Sequence, residues 1–270
     1  MAETTSIEWT DRTFNPWTGC TKISPGCDHC YAEGWSKRSG QVKWGNHPRK
    51  RTTEAYWKAP HAWQKEADTF QLRNGRRQRV FCASLADVFD NQVDPAWRAD
   101  LFELIRSTPD LDWQLLTKRP QNIRKMLPVD WGSEGWHNVW LGFTAEDQIR
   151  FDQRKRFIEE IPATVWFVSY EPAIGPLRIG ASDPAPHWLI IGGESGPGAR
   201  ALEEQWVYDV LDDCRERDIA PFFKQWGQYE NNPLTGQLNL PKSELRQLDP
   251  YGKGGGLISG EIIRTFPPAA

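Results

Sequence analysis

The chain lacks any apolar run approaching the roughly 18 residues that a membrane-spanning helix needs. Residues Met1–Glu8 carry neither a basic cluster nor a long apolar stretch, so no signal peptide is expected. A soluble, cytoplasmic protein with no membrane partner follows as the expectation. Low-complexity segments and solenoid repeats are also missing. Cysteine is sparse and odd in number, five in 270 residues, which argues against a disulfide framework. Methionine is rarer still, with 2. What remains is an ordinary globular balance, 39% hydrophobic and 26% charged, which excludes a disordered or fibrous chain. The length suffices for a sizeable core. One residue type is in excess: 15 tryptophans.

Short apolar, aromatic-rich segments recur at Ser6–Trp9, Arg79–Ala83, Trp113–Thr117, Val139–Phe143, Val165–Ser169, Trp188–Ile191 and Pro221–Lys224. Helical spacing is read between them, at about residues 30–38, 95–107, 146–160 and 203–217. Asp94 before Pro95 is a helix-start signal. Strands alternating with helices imply a parallel sheet. The predicted architecture is therefore α/β: a single domain over 1–270, a full or partial (β/α) barrel of six to seven parallel strands. A doubly wound open sheet is the alternative. A C-terminal extension is read over 228–270.

The net charge of −3 conceals an asymmetry. Residues 37–79, an insertion after the first helix, carry twelve Lys or Arg against three acids, a net +9. Trp44, Tyr56, Trp57 and Trp63 lie among these charges. Basic residues interleaved with aromatics suit a nucleotide or nucleic acid; the same aromatics equally suit anchoring the insertion to the core.

Three cysteines fall close together as Cys20-x6-Cys27-x2-Cys30, with Ser24-Pro25-Gly26 as a turn between them. Clustered thiols suggest a shared metal centre. Three thiolates leave one position open on a four-iron, four-sulfur cluster; a structural zinc asks for a fourth ligand. Cys82 and Cys214 read as core residues. In a barrel the loops after the strands gather at one face. Those loops carry Ser84, Asp87, Lys118, Thr144, Glu171 and Glu194, the candidates for cofactor or substrate contacts. The Gly192–Gly198 run matches neither the P-loop nor the dinucleotide fingerprint.

A three-cysteine loop after the first strand of a (β/α) barrel resembles the radical S-adenosylmethionine superfamily, whose second gap of two residues is kept here while the first is lengthened to six. Longer motifs are similar to an uncharacterised phage-associated three-cysteine family. They include Asn15-Pro-Trp-Thr-Gly-Cys20, Ser24-Pro-Gly-Cys27-Asp-His-Cys30-Tyr-Ala-Glu33, Ser84-Leu-Ala-Asp87, Leu116-Thr-Lys-Arg-Pro120, Gly192-Gly-Glu-Ser-Gly196 and Phe223-Lys-Gln-Trp-Gly227. The superfamily resemblance implies that Cys20, Cys27 and Cys30 hold a 4Fe-4S cluster and act as the catalytic centre with S-adenosylmethionine. It also implies a 5′-deoxyadenosyl radical and an electron donor such as a flavodoxin or ferredoxin. Two other classes stay open: a zinc-stabilised nucleic-acid-binding protein without catalysis, and a metal-assisted hydrolase. The strand tryptophans are expected to pack the barrel. Trp17, Trp226 and the aromatics of the basic segment are left as candidates for a planar substrate.

Overall fold

A computed structural model describes residues 5–268. Nine strands lie among the described residues: β1 (Arg12–Phe14), β2 (Trp17–Thr18), β3 (Lys50–Arg51), β4 (Gln78–Cys82), β5 (Leu111–Thr117), β6 (Val139–Thr144), β7 (Val165–Ala173), β8 (Trp188–Gly193) and β9 (Ala220–Gln225). Seven form one sheet in the order β1-β4-β5-β6-β7-β8-β9, every neighbouring pair parallel. Strand order follows chain order throughout. A doubly wound sheet reverses at a switch point; this one curls in a single direction into a half-barrel.

The helices begin with α1 (Tyr31–Ser39), which follows the cysteines. Then come α2 (Glu54–Trp57), α3 (Ala59–Lys65) and α4 (Ala67–Asn74) in the insertion. They continue as α5 (Pro95–Arg106), α6 (Ile123–Met126), α7 (Gln148–Arg154), α8 (Arg156–Glu160), α9 (Glu204–Glu216) and α10 (Lys242–Leu248). Asp94 and Asp147 cap α5 and α7 through their side chains, each accepting a backbone N–H at 2.9 Å. Such caps satisfy amides that a helix start leaves unpaired. The helix read over 146–160 is two, divided at Lys155.

Strand alternation sorts side chains to two faces. In β7, Trp166, Val168 and Tyr170 join the large core with helix residues such as Leu101, Phe151, Val207 and Val210. Val165 and Phe167 point the other way, into a smaller cluster with Trp9, Phe81, Trp140, Trp188, Ile190 and Phe222. That second cluster is the concave face, and no helix contributes to it. Two segments from opposite ends of the chain cover it instead. Trp9 packs on Phe81 and Trp188 at ring separations of 4.5 and 6.0 Å. Phe266 lies 5.2 Å from Trp188 and under the Arg79 guanidinium at 3.6 Å. An Arg264–Glu8 ion pair at 2.8 Å joins the two segments. Phe223 N donates to Ile263 O at 2.7 Å and Thr265 N to Pro221 O at 2.8 Å, so the β9 edge is covered rather than exposed.

This corrects the expectation for Ser6–Trp9. Ile7 and Trp9 alternate as a strand does, but the first strand is Arg12–Phe14, and these apolar residues serve as interior packing. Trp17 and Trp226 are also corrected. Both are fully buried in the large core, which leaves them no face for a planar ligand. Four arginines of the basic insertion pair with acids outside it. Arg49 binds Asp90 at 2.6 Å, Arg51 binds Asp100 at 2.8 Å, Arg76 binds Asp11 at 2.6 Å and Arg77 binds Asp112 at 3.2 Å. Trp57 is buried and Tyr56 stacks on Phe14 at 5.1 Å, so these aromatics anchor the insertion. Trp44 faces a cavity.

Gln114 pairs with Phe81 and Trp140 across the sheet and is fully buried. Neither atom of its amide has a partner within the protein. A buried amide without a protein partner costs about 1–3 kcal/mol. Gln114→Leu is therefore expected to raise stability by about 1 kcal/mol, a rise of roughly 2–4 °C in Tm, read by thermal unfolding. A lower Tm would show that the amide is satisfied by a bound molecule.

Candidate functional site

A cavity of about 480 Å³ opens at the carboxyl ends of the strands, over the concave aromatic layer. Cys20, Cys27, Cys30, Ser84, Asp87, Lys118, Thr144, Glu171 and Glu194 all line it. Parallel strands end on one side of a sheet, so residues that follow them meet although they are far apart in sequence. Trp9, Phe81 and Leu116 line its apolar part, and Trp44, Ser169, Lys224 and Lys253 add to the rim.

The cysteine loop runs from β2 to α1 with one short turn, Pro25–Cys27, as its regular structure. Its shape is set from outside by three arginine–carboxylate pairs. After β4, Asp87 accepts from Thr117 and from Arg119 Nη1 at 2.7 and 3.0 Å. Arg119 in turn donates to Thr21 O at 2.8 Å and to Cys20 Sγ at 3.5 Å. After β6, Glu146 binds Arg154 at 2.8 Å and accepts from Ser24 and from the Gly26 amide, the latter at 3.3 Å. A Cβ on Gly26 would stand 2.9 Å from that carboxylate, so glycine is what permits the contact. After β8, Glu194 accepts from the Arg200 backbone and Nε, both at 2.9 Å, and from Nη2 at 2.5 Å. Its Oε2 also lies 2.9 Å from His29 Nδ1. Arg200 reaches on to Pro25 O at 2.8 Å and Asp28 at 3.3 Å.

Asp87 and Glu194 thus have both oxygens committed to the protein. Ser84 is likewise engaged: its hydroxyl meets Asn15, and its carbonyl accepts from Tyr31 at 2.6 Å. The groups facing the cavity with fewer partners are Lys118, 3.3 Å from Thr144 Oγ1, and Glu171, paired with Lys224 at 2.5 Å. Lys224 and Lys253 were missing from the predicted site set. Lys224 sits in register to point inward beyond Phe222, a signal available from strand period. Lys253 comes from the C-terminal extension, outside any strand rule.

All five cysteines are free. Burial, and after it the Asp87 carboxylate, pushes the Cys20 thiol up to about 11, against the pull of Arg119. Burial pushes Cys214 up to about 12 and Cys82 higher still, consistent with inert core thiols. Among the described residues no three Cys, His, Asp or Glu side chains converge at the spacing of one metal ion. The three thiols line the same cavity without meeting at the spacing of one ion; the ligands of a four-iron cluster sit on separate irons.

These features define an α/β half-barrel protein with a three-cysteine cavity at its strand ends. A family profile described as "Protein of unknown function (DUF5131)" matches residues 4–266, and the chain belongs to that family. No curated protein and no solved structure matches it.

Burial alone raises the Glu194 carboxyl; the hydrogen bonds from Arg200 and His29 outweigh it and hold the group down at about 2. A carboxylate held below its unfolded value of about 4.3 contributes its full stability above that value and loses it as pH falls through about 2. Glu194→Gln is therefore expected to cost about 2 kcal/mol near neutrality. The deficit should shrink as pH falls from about 4 towards 2. Denaturant unfolding at several pH values reads both effects.

Proposed function

We propose that the protein is an iron–sulfur enzyme of the radical S-adenosylmethionine type, with Cys20, Cys27 and Cys30 as ligands of a 4Fe-4S cluster. The observation that carries this reading is three free thiols lining one strand-end cavity together with ammonium, hydroxyl and carboxylate groups. The donor set fits such a cluster. Thiolates are its ordinary ligands, and Arg119 brings positive charge to within 3.5 Å of Cys20. Three ligands leave one iron for an outside molecule. When bound, the cluster and S-adenosylmethionine supply one-electron cleavage and hydrogen-atom abstraction from a substrate.

The chain's own part is to hold, orient and shield. The three arginine–carboxylate pairs fix the thiols. Lys118 and Lys224 offer cations to a carboxylate. Thr144 and Ser169 offer hydroxyls, and Glu171 accepts from an amine in exchange for Lys224. Trp9, Phe81 and Leu116 give the apolar base that a mostly closed ligand site uses. No described helix is long and apolar enough to cross a membrane. A cytoplasmic setting, where thiols stay reduced, and a flavodoxin or ferredoxin as electron source suit this chemistry.

Anaerobic reconstitution with iron and sulfide is expected to load about four irons per chain. The reduced cluster should give an electron paramagnetic resonance signal that changes on adding S-adenosylmethionine. Cys20→Ser, Cys27→Ser and Cys30→Ser should each abolish loading, while Cys82→Ala and Cys214→Ala retain it. One zinc and no iron in protein purified without oxygen would overturn the reading.

A further inference from the structure

A second cavity, a groove of about 880 Å³, lies between the loops after β8 and β9 and the C-terminal extension. Three cations line it, Lys242, Arg246 and Lys253, against one carboxylate, Glu230. All three are exposed. Arg49, Arg51, Arg76 and Arg77 of the basic insertion are held by acids. The groove cations make no ion pair among the described residues. Gly196, Gly227 and Gly254 also line the groove; at Gly227 and Gly254 a Cβ would run into the backbone of Glu194 and Gln228, so these glycines hold the two loops close together.

The groove is joined to the cysteine cavity. Gly252 and Lys253 line both. Their loop is held firmly. Asp249, fully buried, accepts from Asn232 Nδ2, Gly256 N and Leu257 N, each at 2.9 Å. Lys253 N donates to Gln225 Oε1 at 2.9 Å, and its ammonium rests 3.4 Å from Ser195 Oγ. A fixed cation therefore stands at the junction of the two cavities. Tyr229, half-buried, also lines the groove wall.

We propose that this groove binds the phosphate backbone of a single-stranded nucleic acid and leads it past Lys253 to the cysteine cavity. The phosphate site stands on the groove's own geometry; its use as the path of a substrate rests on the radical-enzyme reading. The nucleic-acid contact thus moves from residues 37–79, where it was expected, to the C-terminal extension. The groove shares Gly252 and Lys253 with the cysteine cavity, whereas residues 37–79 reach that cavity through Trp44.

The test is a salt titration with fluorescein-labelled oligothymidylate and oligouridylate of about twelve nucleotides, read by anisotropy on the full chain. The triple variant Lys242→Ala/Arg246→Ala/Lys253→Ala is expected to bind about tenfold or more weakly at about 0.1 M salt. Its log–log salt slope should fall by about 2, since each single-strand phosphate contact contributes about 0.7. Lys242→Arg/Lys253→Arg should keep the slope. Lys58→Ala/Lys65→Ala/Arg73→Ala, in the insertion, should bind as the parent does. The titration is run on protein with and without iron and sulfide reconstitution and is expected to give the same affinity, so failure of the cluster leaves this measurement intact. Far-UV circular dichroism confirms folding of each variant. An unchanged slope in the groove variant, a loss that follows the insertion variant instead, or no binding at about 50 mM salt overturns the proposal. So does a groove variant that loses reduction by a reduced flavodoxin while keeping its oligonucleotide affinity.

Discussion

The cysteine loop has almost no regular structure, so its geometry is borrowed. Asp87, Glu146 and Glu194 follow every second strand of the inner sheet, β4, β6 and β8, and each is matched by an arginine that also binds the loop or its anchoring carboxylate. Arginine suits this task because its planar fork binds a carboxylate and still has donors left for backbone carbonyls. Buried charges are costly unless paired and hydrogen-bonded. Here each carboxylate is satisfied by several donors, so the expense of burial is offset within the cluster. The positions of Cys20, Cys27 and Cys30 relative to the half-barrel all descend from these contacts.

The same contacts separate two kinds of strand-end polar residue. Asp87 and Glu194 face inward and hold the protein to itself; Glu171, Lys118 and Lys224 face the cavity with capacity to spare. The division separates structural charge, which holds the cysteine loop, from charge with capacity to spare in the same cavity. A ligand that displaced Lys224 from Glu171 would meet an ammonium and a carboxylate at once, which suits a molecule carrying both signs.

Much of this was legible in the sequence. The six strands from β4 to β9 and the helices α5 and α9 follow apolar periodicity, and all nine expected site residues line one cavity because parallel strands deliver their ends to one side. Residues 6–9 misled because alternation records burial on one side, not hydrogen bonding to a neighbour; Trp9 is buried by the barrel interior. The anchoring of the +9 segment was not legible, because the acids that answer Arg49, Arg51, Arg76 and Arg77 are distant in sequence and become neighbours only on folding. Pattern also could not tell a carboxylate that clamps from one that binds, since Glu171 and Glu194 both stand at the carboxyl end of a strand. Trp17 and Trp226 were misplaced for a similar reason: their rings turn into the helix-covered core.

The half-barrel is closed by its ends, with Trp9 and Phe266 sharing the concave layer and Arg264 reaching Glu8. The apolar floor beneath the three thiols is therefore complete only when the two segments meet on the strands. Loosening either segment would uncover the concave layer and undermine the cavity above it together, so the integrity of the site is tied to contacts that lie outside every strand and helix.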